Sequence, residues 1–208
     1  WWLMEPVQVH ADASAVERLL ELLEQESNGR YSLDEVNLEG AALWPARTIV
    51  RYNNLQLSFG TTDPLKGFRY VLYDDKVHLV TDHFFHVVTA PYPRFVNRLV
   101  IPESVNLEMI EMPGITLLVQ GEKWVAQPHV DDSKLGKMLG AWREAYSREI
   151  SPYQIREGAK PVILTAGNPR VSVKVDVWYD DTQLIVGRED IGVEYILPRR
   201  MVEEMGLD

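Results

Sequence analysis

Cysteine is missing from all 208 residues, and that one absence excludes disulfides, thiolate metal sites and a cysteine nucleophile. An excess of cations is missing too. Lys and Arg number 21 against 31 Asp and Glu, a formal net charge of −10, and neither half of the chain is basic. Affinity for phosphates rests on clustered positive charge, so no nucleic-acid partner is expected, and attraction to anionic lipid goes with it. No apolar run approaches the length of a membrane span. The short fingerprints of nucleotide binding and hydrolysis are also lacking: no GxGxxG, no P-loop, no GxSxG elbow and no HExxH. A triad gathered from distant residues is defined by geometry and escapes this kind of reading. The chain opens Trp1-Trp2 without an initiator Met, which sets up the expectation of a preceding signal or anchor.

What is present describes a folded protein with ample length to bury a core, as one large domain or two small ones. Hydrophobic residues make up 46% and charged residues 25%. The most informative stretch runs from Leu55 to Asp82. Leu55, Leu57 and Phe59 alternate with polar residues, the period of a strand with one buried face. Gly60 is expected to end that strand, ahead of a turn through Asp63-Pro64 and Gly67. Phe68 to Tyr73 is apolar on both faces, as a central strand should be. Asp74-Asp75 turns the chain into a third strand, and Asp82 suits an N-cap for the segment 83–89.

Elsewhere, Ser14 and Glu17 form a capping-box pattern ahead of Val16, Leu19, Leu20 and Leu23, which predicts an amphipathic helix from Ser14 to about Gln25. Asn53-Asn54 suits a hairpin turn. Pro91, Pro93 and Pro102 break regularity and give the expected domain boundary. Ile115–Val119 and Trp124–Gln127 read as a hairpin. A second helix capped at Asp132 or Ser133 carries Leu135, Met138, Leu139, Trp142 and Tyr146 on one face. Alternating strands follow through Leu197, and Pro198 is expected to open a short terminal helix.

The halves echo each other. Trp2…Pro6 and Trp124…Pro128 share a spacing, each followed by a cap, a helix and a run of strands. Tyr73-Asp-Asp with Val80 matches Tyr179-Asp-Asp with Val186, and Arg69-Tyr-Val-Leu72 resembles Glu194-Tyr-Ile-Leu197, although at a different offset. The expected fold is therefore α+β, with two similar units over 1–102 and 103–208. Each unit is an amphipathic helix on a mostly antiparallel sheet, the product of internal duplication.

Phe59-Gly60…Asp63-Pro64-Leu65…Arg69-Tyr70-Val71 and Val77-His78-Leu79-Val80-Thr81-Asp82 carry a family resemblance, supported by Trp44-Pro45, Gly121…Trp124, Ala141-Trp142 and Arg188…Tyr195. The chain resembles a bacterial family designated a domain of unknown function. The resemblance implies an N-terminal membrane anchor in the inner membrane, a body on the periplasmic side, and proximity to gliding-motility-type ABC transport components. It supplies no catalytic residue.

Individual residues weigh toward structure. Asp82, His83 and His86 are the one cluster of ligand-like types, but no fourth ligand lies nearby and Phe84-Phe85 point to packing, so neither a metal nor any cofactor is expected. The pairs Asp74-Asp75, Asp131-Asp132 and Asp180-Asp181 sit where turns or caps are needed anyway. Arg69 and Arg188 stand on apolar strands, where a buried cation requires a carboxylate or a partner. The leading expectation is a non-enzymatic extracytoplasmic accessory or scaffold domain that contacts membrane transport components through Phe84, Phe85, Pro91 or Pro93. The alternative is a hydrolase or small-ligand-binding domain whose cleft residues are scattered, and a deep pocket with converging titratable groups would favour it.

Overall fold

The computed structural model describes residues 1–208. In chain order it forms β1 (Trp2–Leu3), β2 (Val9–His10), α1 (Ala13–Leu20), β3 (Gly29–Ser32), β4 (Thr48–Tyr52), β5 (Leu55–Thr62), β6 (Phe68–Tyr73), β7 (Lys76–Thr81) and α2 (Phe85–Val88). Then follow β8 (Leu107–Met112), β9 (Ile115–Gln120), β10 (Lys123–Gln127), α3 (Asp132–Arg143), β11 (Glu149–Pro152), β12 (Lys160–Ala166), β13 (Val171–Tyr179), β14 (Gln183–Arg188), β15 (Val193–Pro198) and α4 (Met201–Met205). Every strand pairing is antiparallel, so the fold is α+β and rich in strand. No helix is long and apolar enough to cross a membrane.

Two compact units emerge, one of residues 14–91 and one of residues 1–13 with 92–208. The boundary expected at 102/103 thus falls inside the second of these. The first segment of chain joins the later unit because Ala11 bridges Val96 and the Asp12 N–H donates to the Phe95 carbonyl.

In the 14–91 unit the sheet order is β3-β7-β6-β5-β4. Alternation explains its two apolar layers. Phe59 and Val71, with Leu57, Val50 and Val80, meet α1, α2 and the 3-10 turn after α1 through Leu19, Leu22, Phe85 and Val88. Tyr70, Leu72 and Val77 face the other way, under the connection from β3 to β4 that carries Val36, Leu38, Ala41 and Leu43. Gly60 does not end its strand. The strand runs on to Thr62, and a Cβ at Gly60 would lie 2.1 Å from the Ala41 carbonyl oxygen, so glycine admits this close approach of the crossing connection.

The other unit contains an eight-stranded sheet in the order β10-β9-β8-β12-β13-β14-β15-β11. Val162, Leu164, Val175, Val177, Leu184, Val186, Val193, Tyr195 and Leu197 share one core with Leu135, Met138 and Trp142 of α3 and Met201, Val202 and Met205 of α4. The Trp142 indole N–H donates to the Met205 carbonyl at 3.1 Å, so its one polar atom is satisfied inside the core. On the opposite face the β11–β12 connection covers Glu194, which is 2% exposed. Glu194 accepts from Arg156, Ser151 and the Gln154 N–H, the company a buried carboxylate requires.

The five strands β3 to β7 and the five strands β11 to β15 therefore follow the same order, with the first strand of each set pairing beside the last. The Tyr-Asp-Asp strings do not occupy corresponding places: one joins β6 to β7 and the other β13 to β14. Other expectations shift locally. The first helix starts at Ala13, so Ser14 lies within its first turn, and the capping box forms instead at Ser32 and Glu35. Asp131, not Asp132 or Ser133, caps α3 by accepting from the Lys134 N–H at 2.9 Å. Tyr146 lies past the end of that helix and is 55% exposed. Pro198 closes β15 rather than opening α4. The hairpin turns fall where Asn53-Asn54 and Asp74-Asp75 place them, with φ of 50° at Asn53 and of 48° and 53° at the two aspartates.

Candidate functional site

The residues first suspected of ligand chemistry turn out to hold the 14–91 unit together. Asp82 is not the N-cap, which is Thr81. Its carboxylate instead accepts from Nε and Nη2 of Arg69 and from the Thr62 hydroxyl. Arg69 also donates to the Gly60 carbonyl, and its guanidinium lies 3.4 Å from the Phe85 ring centroid. A cation with a side chain 7% exposed needs such company. Phe85 is thereby committed to covering Arg69, and Phe84 stacks on His83 with ring centroids 4.0 Å apart. His83 and His86 are exposed. No group of three His, Asp or Glu side chains comes together with metal-binding geometry. Pro93 is buried while Pro91 is exposed, so Pro93 offers no contact surface of its own.

A different place draws unsatisfied chemistry together. Within the larger unit lies a cavity of about 410 Å³, lined on one side by Val100, Ile101, Leu107, Leu164 and Val173. Trp2 and His10 also line it, held by the β1–β2 pairing with their rings 4.0 Å apart. Arg188, the last residue of β14, and Tyr195, the third of β15, complete it. Both strands alternate, so both residues point to the core face, and the apolar neighbours that bury them are fixed by that period.

The polar groups of this cavity are unevenly matched. Arg188 donates from Nε and Nη2 to the two Asp190 oxygens at 2.7 Å each, while Nη1 takes no part. The Arg188 side chain is 15% exposed and that of Asp190 46%, so the cation faces inward and its counter-charge meets water. Tyr195 is 2% exposed, and its hydroxyl accepts no hydrogen bond and donates none within the chain. Burial pushes that hydroxyl up to about 12, against a smaller opposing effect of Arg188, so it remains a protonated donor at neutral pH. At 3.5 Å, His10 Nε2 and the exposed Ser104 hydroxyl stand at the outer limit of a hydrogen bond. No carboxylate orients His10, and burial lowers its pKa.

The other hollows lack this combination. One of about 390 Å³ is lined by Glu35, Asn37, Asp63 and Tyr70, whose polar atoms are engaged with one another or with local backbone. One of about 90 Å³ lies between Arg69, His78 and Phe85, and His78 Nε2 is a buried atom without a partner there. Arg188 was legible in the sequence as a cation on an apolar strand. Tyr195 was not, since a tyrosine on a strand is ordinary until its hydroxyl is seen to lack an acceptor. Trp2 and His10 join them only because the first segment returns to the later unit, where Ala11 bridges Val96. No family model matches the chain, and no curated protein or solved structure similar to it was found.

Proposed function

We propose that this protein is a non-enzymatic accessory domain that binds a small molecule in the Tyr195–Arg188 cavity. The observation that carries the reading is the Tyr195 hydroxyl, which has no acceptor within the chain and opens onto a ligand-sized cavity from a residue only 2% exposed. A donor on a cavity wall favours a ligand that supplies its acceptor, and a concave, mostly apolar site with a small number of polar groups is the usual form of a ligand pocket. Against hydrolysis stands the Ser104–His10 pair, long and without an orienting acid. A thermal-shift screen of small amphipathic molecules tests the reading. Stabilisation that saturates with dose and is weakened in Tyr195→Phe for molecules bearing an acceptor supports it, whereas acceptor-bearing hits equally effective on both chains would count against it.

The biological setting follows from the family resemblance of the Phe59–Asp82 stretch. In this reading the domain stands on the periplasmic side of the inner membrane, tethered there, and contacts components of an ABC-type transport system. A tether raises local concentration, so an interface of modest affinity suffices. Fractionation and crosslinking of the full-length chain in its native cell test it. Recovery free of membranes and of transport components would contradict it.

The same reading includes internal duplication. It is supported by the shared order of β3–β7 and β11–β15, by a helix before each set and one after it, and by a connection crossing the face opposite the helices in each. In this alignment His78 and Tyr195 correspond, as third residues of β7 and β15. Superposition of experimental coordinates of the two sets is the test, and helices on opposite faces would refute it.

A further inference from the structure

We infer that the Tyr195 cavity is built for an uncharged, flat apolar molecule bearing one oxygen acceptor, a ketone or ester carbonyl being the type; this rests on the ligand-binding reading above. The polar groups at the Arg188–Tyr195 end fix the first requirement. The Tyr195 O–H and the Nη1 N–H groups of Arg188 are donors, and neither has an acceptor within the chain. A ligand must therefore present an acceptor there, since burying a donor without one is costly.

Charge fixes the second. Arg188 attracts carboxylates in general, yet its bidentate edge of Nε and Nη2 is already taken by Asp190. A ligand carboxylate would meet only the remaining edge, in a pair whose charge is already balanced. Desolvating it would go largely uncompensated. No Lys, Asp or Glu lines the cavity, and His10, the remaining basic side chain, is held toward its neutral form by burial. A ligand cation would find no acid on the cavity wall to pair with. An uncharged acceptor meets neither penalty.

Shape fixes the third. The walls are mainly apolar, with the uncharged amides of Gln8, Asn97 and Asn106 among them, and Trp2 and His10 offer ring faces on which a planar body stacks. The volume of about 410 Å³ lies in the range of small-molecule sites.

Calorimetric titration with four molecules on one skeleton tests this: naphthalene, 2-acetylnaphthalene, 2-naphthoate and 2-naphthylmethylammonium. The ketone is expected to bind about fivefold tighter than the hydrocarbon, the order of one net hydrogen bond, and both ions more weakly than the hydrocarbon. Tyr195→Phe should bring the ketone to the affinity of the hydrocarbon and leave the hydrocarbon unchanged. Tightest binding by the naphthoate, or a ketone no better than the hydrocarbon, overturns the ligand class while the cavity remains a site. Failure of all four to bind overturns the class and the ligand-binding reading together. Should Tyr195→Phe not fold, Val171→Trp serves, because Val171 lines the cavity and is 51% exposed, so a larger side chain there narrows the site without entering the core. Ketone binding unchanged in Val171→Trp also overturns the proposal.

Discussion

Arg69 and Asp82 show what a buried charge demands of its neighbours. The guanidinium has a carboxylate, a hydroxyl, a backbone carbonyl and an aromatic face. Its partner Asp82 has a side chain 32% exposed, so the two members are unequal. Asp82→Ala leaves a buried cation without its counter-charge and should cost about 3 kcal/mol. Under the proposed duplication, Leu184, the second residue of β14, stands in the place of Arg69. Arg69→Leu combined with Asp82→Ala should therefore recover part of that loss, which urea denaturation of both variants measures; a double variant less stable than Asp82→Ala would contradict the assignment.

Two titrations follow from groups at the same scale. Burial first, then Arg30, lowers the pKa of His78 below its ordinary 6.5. The neutral ring is the form the fold accepts, so its contribution is complete above about pH 6.5 and is lost as pH falls from there through the lower folded value. The hydrogen bond from Arg69, with smaller help from Thr62, lowers Asp82 against the opposing effect of burial. Its contribution persists above the ordinary 3.8 and disappears as pH falls through the lower folded value. Urea midpoints should therefore decline first below pH 6.5 and again in strong acid, and His78→Phe should make the first decline shallower, with His10 supplying the rest. An unchanged decline in His78→Phe would remove His78 from the account.

At the scale of elements, period-two alternation made the strands readable: Leu55–Phe59, Phe68–Tyr73 and Val171–Tyr179 all lie in strands of the expected face pattern. Asn53-Asn54 and Asp74-Asp75 were readable because left-handed φ selects for those residues. Gly60 was misread because turn chemistry and close backbone approach both select glycine, and only the crossing connection at Ala41 tells them apart. The pairing of β11 beside β15, and of Ala11 beside Val96, joins residues far apart in the chain, and no local signal encodes it. The cavity inherits that difficulty, since Trp2 and Tyr195 meet only through such long-range pairings. The two kinds of glycine give a paired test. Gly60→Ala should destabilise by about 1–3 kcal/mol through overpacking against the Ala41 carbonyl. Gly136→Ala, in open space within α3, should stabilise by about 0.5–1 kcal/mol through helix propensity. Thermal or urea unfolding of the two variants measures both, and equal effects of the same sign would contradict this reading of Gly60.

Over the whole molecule, each unit carries a hydrophobic core of its own. While the buried His78 Nε2 of the smaller unit stands alone, the Tyr195 hydroxyl and Arg188 Nη1, donors without an acceptor in the chain, meet on one cavity of the larger unit. That localisation is the central claim, and methyl-resolved NMR titration with 2-acetylnaphthalene tests it most directly. The account predicts saturable shifts of the methyl signals of Ile101, Leu107, Leu164 and Val173, with those of Val50, Leu57 and Val71 in the other unit unmoved. Shifts centred on Val50, Leu57 and Val71, or spread over both units without saturation, would contradict it.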